Sequence, residues 1–219
     1  MLHDREEAGA ALAGRLQAYR GAKDTLVLGL PRGGVIVAAA IAKALSLPLD
    51  AFISKKLRSS AAPELAYGAV TEAGNGFVDA KLLARVDMKP WEHERELAFE
   101  RKEVAWRKRL YRGSRDLPSV EGRRLILVDD GIATGATFIA ALEGLRKLAP
   151  SRIVAAVPVG PADTLAAIEP LVDEFHVLER RADFVSVGAC YETFAPVHDW
   201  EVVARLSAGH ARRVHNLKA

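Results

Sequence analysis

The chain has 219 residues, of which 50% are hydrophobic and 27% charged, as in ordinary globular proteins. Its net charge of +3 is too small to predict nucleic-acid binding, although converging cations would suit a partner with several phosphates. The single cysteine, Cys190, excludes an internal disulfide, and Met1–Glu7 lacks the apolar region of a signal peptide. The longest apolar run, Val35–Ala42, is shorter than the roughly 20 residues that span a bilayer. We therefore expect a cytoplasmic protein without a membrane segment.

In the first part of the chain, apolar runs are separated by turn residues. Thr25–Leu30 is rich in Val and Leu and predicts a buried strand, which Pro31–Gly34 ends. An alanine-rich apolar stretch then predicts a helix that extends to Leu47. The next predicted elements are a strand, a loop without clear periodicity and two short hairpin strands, at Leu49–Ser54, Lys55–Glu64, Tyr67–Thr71 and Gly76–Val78.

A densely charged segment, Pro90–Arg112, has no internal Gly or Pro and predicts a long helix. At about 100° per residue, its apolar residues form two nearly opposite stripes. The first stripe contains Leu97, Val104 and Tyr111, and the second contains Phe99, Trp106 and Leu110. We expect one stripe to pack on the sheet domain and the other to be covered by a hood element or a second subunit. Glutamates interleave with the basic residues, which argues against a nucleic-acid-binding face.

After Pro118, predicted strands alternate with predicted helices. The strands are Arg124–Val128, Ile153–Val159 and Glu174–Leu178, and the helices are Thr137–Leu148 and Ala162–Leu171. This alternation predicts right-handed crossovers and therefore an α/β fold, with a mostly parallel sheet flanked by helices. We expect a single domain, 1–219, with a charged helical insertion at about 88–115 and a small hood or tail at about 180–219.

The most informative segment is Leu125–Thr137. Asp129 and Asp130 follow a buried strand, at the position where open α/β sheets bind ligands. The loop after them leads into a helix, whose first N–H groups form a phosphate cradle. A simpler interpretation is that Thr137 only caps the helix and the acids are a solvated strand end, although nothing in the fold requires two adjacent carboxylates. The Gly-Lys-Thr of a nucleotide P-loop and the Gly-x-Gly-x-x-Gly of dinucleotide sites do not occur here.

This segment resembles the signature of the type I phosphoribosyltransferases, which has a hydrophobic strand, two acids and a loop ending in Thr-Gly-x-Thr. The resemblance implies that Asp129 and Asp130 face the 2- and 3-hydroxyls of 5-phosphoribosyl-1-pyrophosphate (PRPP). The residues implied for its 5-phosphate are Ala133, Thr134, Gly135, Ala136 and Thr137. The implied Mg²⁺ is carried by the pyrophosphate and the ribose hydroxyls near the two acids, without direct protein ligands.

Two further segments match the family's pyrophosphate-binding parts. Arg32, Gly33 and Gly34 follow the first core strand, where the family has its pyrophosphate loop, although such a turn alone is usually plain turn chemistry. A basic run follows the second strand, where the family carries its mobile catalytic loop. The resemblance implies that Lys56 or Arg58 reaches the pyrophosphate; the simpler interpretation is a solvated basic run.

The acceptor is less clear. Ala133 stands where 6-oxopurine transferases have an aspartate, so the loop looks more like that of adenine or uracil transferases. Glu64 lies near the position of the proton-handling glutamate of adenine enzymes, with spacing that differs by two residues; otherwise it is an exposed loop glutamate. In the tail, Phe184 or Tyr191 would stack on a base, unless these aromatic residues belong to the core.

Most of the chain looks closest to a bacterial group of phosphoribosyltransferases whose acceptor is not assigned by motif. The implied activity is Mg²⁺-dependent transfer of the phosphoribosyl group from PRPP to a nucleobase or similar nitrogen acceptor, in nucleotide metabolism. The expected partners are PRPP, a base and a second subunit in a homodimer, with no nucleic acid. The alternatives are a non-catalytic PRPP-binding regulatory protein and an enzyme that hydrolyses or phosphorolyses a phosphorylated sugar. The pyrophosphate-binding segments favour catalysis, because a sensor needs no leaving-group machinery.

Overall fold

The computed structural model describes residues 1–59, 61–74, 76–86 and 88–216, and leaves out the side chains of residues 63–64, 76–77 and 210–216. The helices are α1 (Arg5–Arg15), α2 (Gly33–Leu45), α3 (Ala80–Arg85), α4 (Pro90–Arg112), α5 (Ala136–Arg146), α6 (Ala162–Ile168) and α7 (Asp199–Asn216). The strands are β1 (Thr25–Gly29), β2 (Leu49–Ala51), β3 (Ser54–Ser59), β4 (Ala62–Thr71), β5 (Gly76–Val78), β6 (Arg124–Val128), β7 (Arg152–Pro161) and β8 (Glu174–Arg181). None of the helices in these ranges has the length and apolar character to cross a membrane.

Five strands form a parallel sheet in the order β2-β1-β6-β7-β8, which confirms the predicted α/β fold. Alternating side chains point to opposite faces. On one face, Val27 and Ile126 pack against α1, α2 and α7; on the other, Leu26 and Leu125 pack against α5 and α6. Because β1 and β6 are neighbours in register, the loops after them emerge side by side at the carboxyl edge of the sheet.

The second sheet is a small antiparallel one in the order β3-β4-β5, and it corrects one prediction. Lys55–Glu64 is not a loop: Lys55 to Ser59 belong to β3, and Ala62 to Glu64 begin β4. Strand pairing shifts register between Leu57 and Arg58 and again before Ser59. Such irregularities break the two-residue alternation of exposed and buried side chains. The periodicity on which strand prediction depends is therefore missing from this hairpin.

Helix α4 has the predicted bounds and two different sides. Val104 and Tyr111 are buried against the core, and Leu97 packs beside them. This confirms that one of the two stripes packs inside the protein. In the second stripe, Phe99 remains 57% exposed and Trp106 50% exposed. No hood element covers this stripe within the described residues, so of the two expected covers only a second subunit is left as a prediction.

The end of α4 is held by a buried ion cluster. The Arg112 guanidinium donates from Nε to Asp50 Oδ1 at 2.7 Å and from Nη2 to Glu72 Oε1 at 2.7 Å. These side chains are at most 3% exposed. One guanidinium therefore bridges α4 to β2 and to the residue after β4. Hydrogen bonds to two carboxylates favour the charged form and raise the pKa of Arg112, although burial opposes them.

The chain ends contain helices that were not predicted. At the N-terminus, α1 packs on α2 and buries Leu12 and Ala13. At the C-terminus, α7 packs on α2, β2 and α4 and buries Val202 and Leu206. The ends also meet, because Leu2 and Tyr191 form a parallel bridge. Both ends of the chain therefore help to build the surroundings of the sheet.

Candidate functional site

The two acids lie where the strand pattern predicted, directly after β6. The backbone N–H of Asp130 donates to Asp129 Oδ1 at 2.9 Å, which holds the two side chains in a fixed relation. Burial and then the neighbouring carboxylate of Asp130 raise the pKa of Asp129 well above its ordinary value. Lys56 acts in the opposite direction on the same pKa. The pair is therefore a partly buried acidic site in which negative charge on Asp129 is disfavoured and only partly compensated by Lys56.

Asp130 is held by residues from both ends of the chain. Arg5 Nε donates to Asp130 Oδ2 at 2.7 Å, and the Tyr191 hydroxyl donates to the backbone oxygen of Asp130 at 2.6 Å. The guanidinium carbon of Arg5 lies 3.7 Å from the centre of the Phe194 ring. A second hydrogen bond, 2.9 Å long, runs from Arg5 Nη1 to the Ala195 carbonyl. The two acids thus differ, since Asp130 forms an ion pair with Arg5 and the pKa of Asp129 is raised.

The loop after the acids ends at the first turn of α5. Gly135 has a φ of +77°, a conformation that favours glycine, and it directly precedes the helix. No described side chain caps this helix start, which leaves its first N–H groups available to a ligand. Ala133 and Thr134 are exposed, and Ala136 and Thr137 are partly exposed. The predicted phosphate-binding residues therefore form one accessible helix start beside the acids.

The turn after β1 is in contact with the acids. A Cβ atom at Gly33 would lie 1.8 Å from Asp130 Oδ2, and one at Gly34 would lie 2.8 Å from Asp129 Cα. Any larger residue at either position would therefore displace the acids. Arg32 is exposed at the same turn. The structure thus brings the predicted pyrophosphate turn and the predicted sugar acids together at one edge of the sheet.

The basic residues of β3 have different positions. Lys56 is partly buried near Asp129; burial and Arg58 lower its pKa, whereas Asp129 raises it. Lys55 instead pairs with Glu100 of α4, with 3.5 Å between Nζ and Oε2. Arg58 is exposed and lines a small cleft against the start of α4, so it is not brought to the acids. Glu64 lies in β4, and its side chain is outside the described residues.

The tail residues predicted to stack on a base are also separated. Tyr191 is buried and its hydroxyl is used by Asp130, so its ring is part of the scaffold. Phe184 is partly buried against a small cluster that includes Ala8 and Val159. Val187 lies over the acid loop, because a Cβ atom at Gly131 would come within 2.5 Å of its Cγ1. The tail therefore borders the site without presenting a fully exposed aromatic face.

Arg5 was not predicted as a site residue, although a signal was present in the sequence. Asp4 and Glu7 have the spacing of a helix N-terminus, and the Asp4 carboxylate accepts a hydrogen bond from the Glu7 N–H at 2.8 Å. This pattern would have placed Arg5 at the first position of a helix. It would not have predicted the contact with Asp130, which lies 125 residues away along the chain.

The chain is similar to known proteins over most of its length. The family profile described as "Phosphoribosyl transferase domain" matches residues 1–188. A protein of Mycobacterium tuberculosis strain H37Rv, named "Putative phosphoribosyl transferase", is 40% identical over 213 residues, which is 96% of this chain. The match covers 47% of that relative, so the chain spans about half the length of the curated relatives it matches.

Solved structures show the same fold. A crystal structure from Thermus thermophilus superposes with a TM-score of 0.79 at 38% identity, covering 94% of this chain and 97% of that one. A Neisseria gonorrhoeae protein crystallised with bound ppGpp gives a TM-score of 0.50 at 15% identity, covering 95% of this chain and 98% of that one. The second similarity concerns the fold alone.

Proposed function

Because the chain belongs to the phosphoribosyl transferase family, we propose that it transfers the 5-phosphoribosyl group of PRPP to a nitrogen acceptor. One observation carries the proposal: the acid pair, the uncapped start of α5 and the Arg32–Gly34 turn meet at one edge of the sheet. These are the three features that a sugar bearing a phosphate at one end and a pyrophosphate at the other requires. A site for a simple phosphate would need only the helix start.

In this proposal, each part of the site binds one part of PRPP. The N–H groups of Ala133–Thr137 hold the 5-phosphate, and Asp129 and Asp130 accept hydrogen bonds from the two ribose hydroxyls. Arg32, Gly33, Gly34 and Lys56 bind the pyrophosphate, where negative charge grows as the bond to C1 breaks. Lys56 suits this role because it is partly buried beside Asp129, so its attraction to an anion is poorly screened by water.

The reaction itself requires little covalent participation by the protein. The C1–oxygen bond to pyrophosphate breaks, a C1–nitrogen bond forms, and the acceptor nitrogen loses a proton. Holding the reactants in line at C1 supplies much of the rate. Glu64 is the proposed proton acceptor and Phe184 the proposed base-binding residue, both carried over from the resemblance. Replacing the acid of 6-oxopurine enzymes by Ala133 favours adenine, uracil or a similar base.

Mg²⁺ is the proposed cofactor, and the two acids suit an ion that the substrate carries into the site. Groups of three or more side chains suited to hold a metal do not occur among the described residues. Two adjacent carboxylates alone do not provide a protein cage for Mg²⁺, which usually keeps substrate phosphates and waters as ligands. The ion would therefore arrive with the pyrophosphate and sugar oxygens, near Asp129 and Asp130, and would neutralise charge on the leaving group.

A regulatory protein that binds PRPP without reaction is the second candidate. It would use the same acids and phosphate loop, but it would not need Lys56 and Arg32 near the leaving group. To separate the two, we would incubate the protein with PRPP, Mg²⁺ and a panel of bases and measure pyrophosphate release. Release with one base supports transfer, and release without any base indicates hydrolysis. Binding without release under all conditions would support the sensor and contradict the transferase.

We predict that Gly33→Ala weakens PRPP binding by about 10²-fold, the cost of misplacing a binding group by roughly 1 Å. The added Cβ would lie 1.8 Å from Asp130 Oδ2, so the carboxylate must move. Gly14→Ala on α1 is the control, because its Cβ meets nothing within 4 Å. Calorimetric titration with PRPP compares the two variants. Equal affinities would show that the turn does not set the position of the acids.

We propose that the exposed stripe of α4 is the contact between two copies in a homodimer. Phe99 and Trp106 are each about half exposed on the same side of the helix, and burying them against a second copy would be favourable. Sedimentation equilibrium is expected to give twice the chain mass of 23.7 kDa, and Trp106→Glu to give the single-chain mass. A wild-type monomer at about 100 µM, where an interface of micromolar affinity is largely saturated, would contradict the dimer.

A further inference from the structure

The surroundings of Asp130 contain a residue without a role in the proposed reaction. Arg5 is the first residue of α1, yet its guanidinium lies at the ligand edge of the sheet, with Nε 2.7 Å from Asp130 Oδ2. The Arg5 side chain is 11% exposed and the Asp130 side chain 16% exposed. An ion pair this poorly hydrated is not an ordinary surface salt bridge, and its loss would leave a buried charge without a partner.

Three contacts fix the orientation of the Arg5 guanidinium. Its face lies over the Phe194 ring, its Nη1 atom donates to the Ala195 carbonyl, and its Nε atom donates to Asp130. Stacking and a planar set of donors are properties of arginine that lysine lacks. A Cβ atom at Gly33 would lie 2.9 Å from Arg5 Nε, so the same side chain also borders the pyrophosphate turn.

The backbone that precedes Arg5 is also anchored near the site. The Leu2 N–H donates to the Cys190 carbonyl at 3.0 Å, and the Thr193 N–H donates to the His3 carbonyl at 2.9 Å. The N-terminal segment is therefore tied to the same tail that supplies Phe194 and Ala195. In addition, Tyr191 from this tail holds the backbone oxygen of Asp130. Side chain and backbone of Asp130 are both fixed by this assembly of chain ends.

We propose that Arg5 is a positioning residue for the sugar-binding acid. By occupying Oδ2, it orients Asp130 so that Oδ1 faces a ribose hydroxyl, and it compensates the charge of Asp130 beside the partly buried Asp129. Arg5 acts through Asp130 and does not touch the reacting atoms. This inference rests on the proposed PRPP site, since it assigns the acid that Arg5 orients to the sugar.

Arg5→Met is expected to raise the dissociation constant for PRPP by roughly 10- to 100-fold, the usual loss for a hydrogen bond to a charged group. The matched control is Arg15→Met, at the other end of the same helix, where the side chain donates to the Val177 carbonyl away from the site. Both arginines anchor α1, so a merely structural role predicts similar losses. Positioning predicts a loss for Arg5→Met alone.

A double-mutant cycle separates positioning from a direct contact with PRPP. In the Asp130→Asn background, Arg5→Met is expected to have little further effect on PRPP affinity, because its target is already altered. An undiminished effect in that background would overturn the inference. So would tighter PRPP binding by Arg5→Met, which would mean that Arg5 competes with the sugar. If Arg5→Met does not fold, Phe194→Leu removes the stacked ring and is expected to weaken PRPP binding in the same direction.

The outcome also distinguishes this inference from the proposed function. If the wild-type protein does not bind PRPP, the proposed function fails and the cycle has no starting value. If the wild-type protein binds PRPP and Arg5→Met binds it equally well, the proposed function stands and the role of Arg5 is wrong. Thermal denaturation of each variant, measured in parallel, identifies any loss of affinity that results from unfolding.

Discussion

Asp129→Asn is expected to slow phosphoribosyl transfer strongly while making the ligand-free protein more stable at neutral pH. Burial and the adjacent Asp130 raise the pKa of Asp129, so ionisation of this carboxylate disfavours the folded state. A raised pKa in the folded state means that stability is lost as pH rises through that pKa. Asparagine removes this loss, and its side-chain oxygen still accepts the Asp130 N–H.

The gain in stability is expected to be about 1 kcal/mol, or roughly 2–4 °C in the melting temperature of a chain this size. The turnover rate is expected to fall by about 10²-fold or more, since the sugar loses a charged acceptor. Differential scanning calorimetry and pyrophosphate release measure the two effects. In the proposed site, PRPP binding requires the ionised acid, so the wild-type affinity should increase with pH, and the variant's should not.

Asp116→Asn is the matched control for this substitution. Asp116 is 86% exposed, pairs with Lys108, and lies before β6, at the opposite end of the strand from the acids. Lys108 lowers the pKa of Asp116, so this acid has the opposite linkage to pH from Asp129. Asp116→Asn should leave turnover unchanged and give no gain in stability. Loss of stability in Asp129→Asn would contradict the inference that ionisation of Asp129 beside Asp130 disfavours the folded state.

The second large effect concerns stability alone. Arg112→Ala is expected to lower the free energy of unfolding by about 3–5 kcal/mol, because it leaves buried carboxylates without their cation. Arg112 bonds Asp50 and Glu72 while all three side chains are almost fully buried. Urea denaturation measures the change, and the loss of the α4 anchor should be visible in the fluorescence of Trp106.

Arg109→Ala, on the same helix, provides the control for Arg112→Ala. Arg109 is exposed, and such substitutions usually change stability by no more than about 0.5 kcal/mol. A change of less than about 1 kcal/mol for Arg112→Ala would mean that the two carboxylates are hydrated or protonated without cost. In that case, the cluster would not be the link between α4 and the sheet.

The two central strands, β1 and β6, were predictable because nearly all of their residues are buried. Leu26–Leu28 and Leu125–Val128 are continuous apolar runs that end at turn or acidic residues, a pattern typical of parallel strands covered on both faces. The bounds of α4 were predictable for a different reason, since Pro90 begins the helix and Gly113 ends it with a φ of +64°. Both patterns are local, so neighbouring residues in the sequence determine them.

The elements that were missed depend on contacts between distant residues. In the β3–β4 hairpin, shifts in strand register break the alternation that identifies strands. In α7, Val202 and Leu206 are apolar at helical spacing, but the helix is specified mainly by packing on α2 and β2. The same limit applies to the site. The acids and the phosphate loop are contiguous in the sequence and could be proposed from it, whereas Arg5 joins them only in the folded chain.

The most direct test of the proposed site is a calorimetric titration of the wild-type protein with PRPP in the presence of Mg²⁺, repeated with Asp129→Asn. We predict saturable binding of one PRPP per chain to the wild-type protein, and a loss of affinity of about 10²-fold in the variant. Binding of equal strength to both proteins would show that the acid pair after β6 does not hold the sugar. Absence of binding to the wild-type protein would contradict the proposed site as a whole.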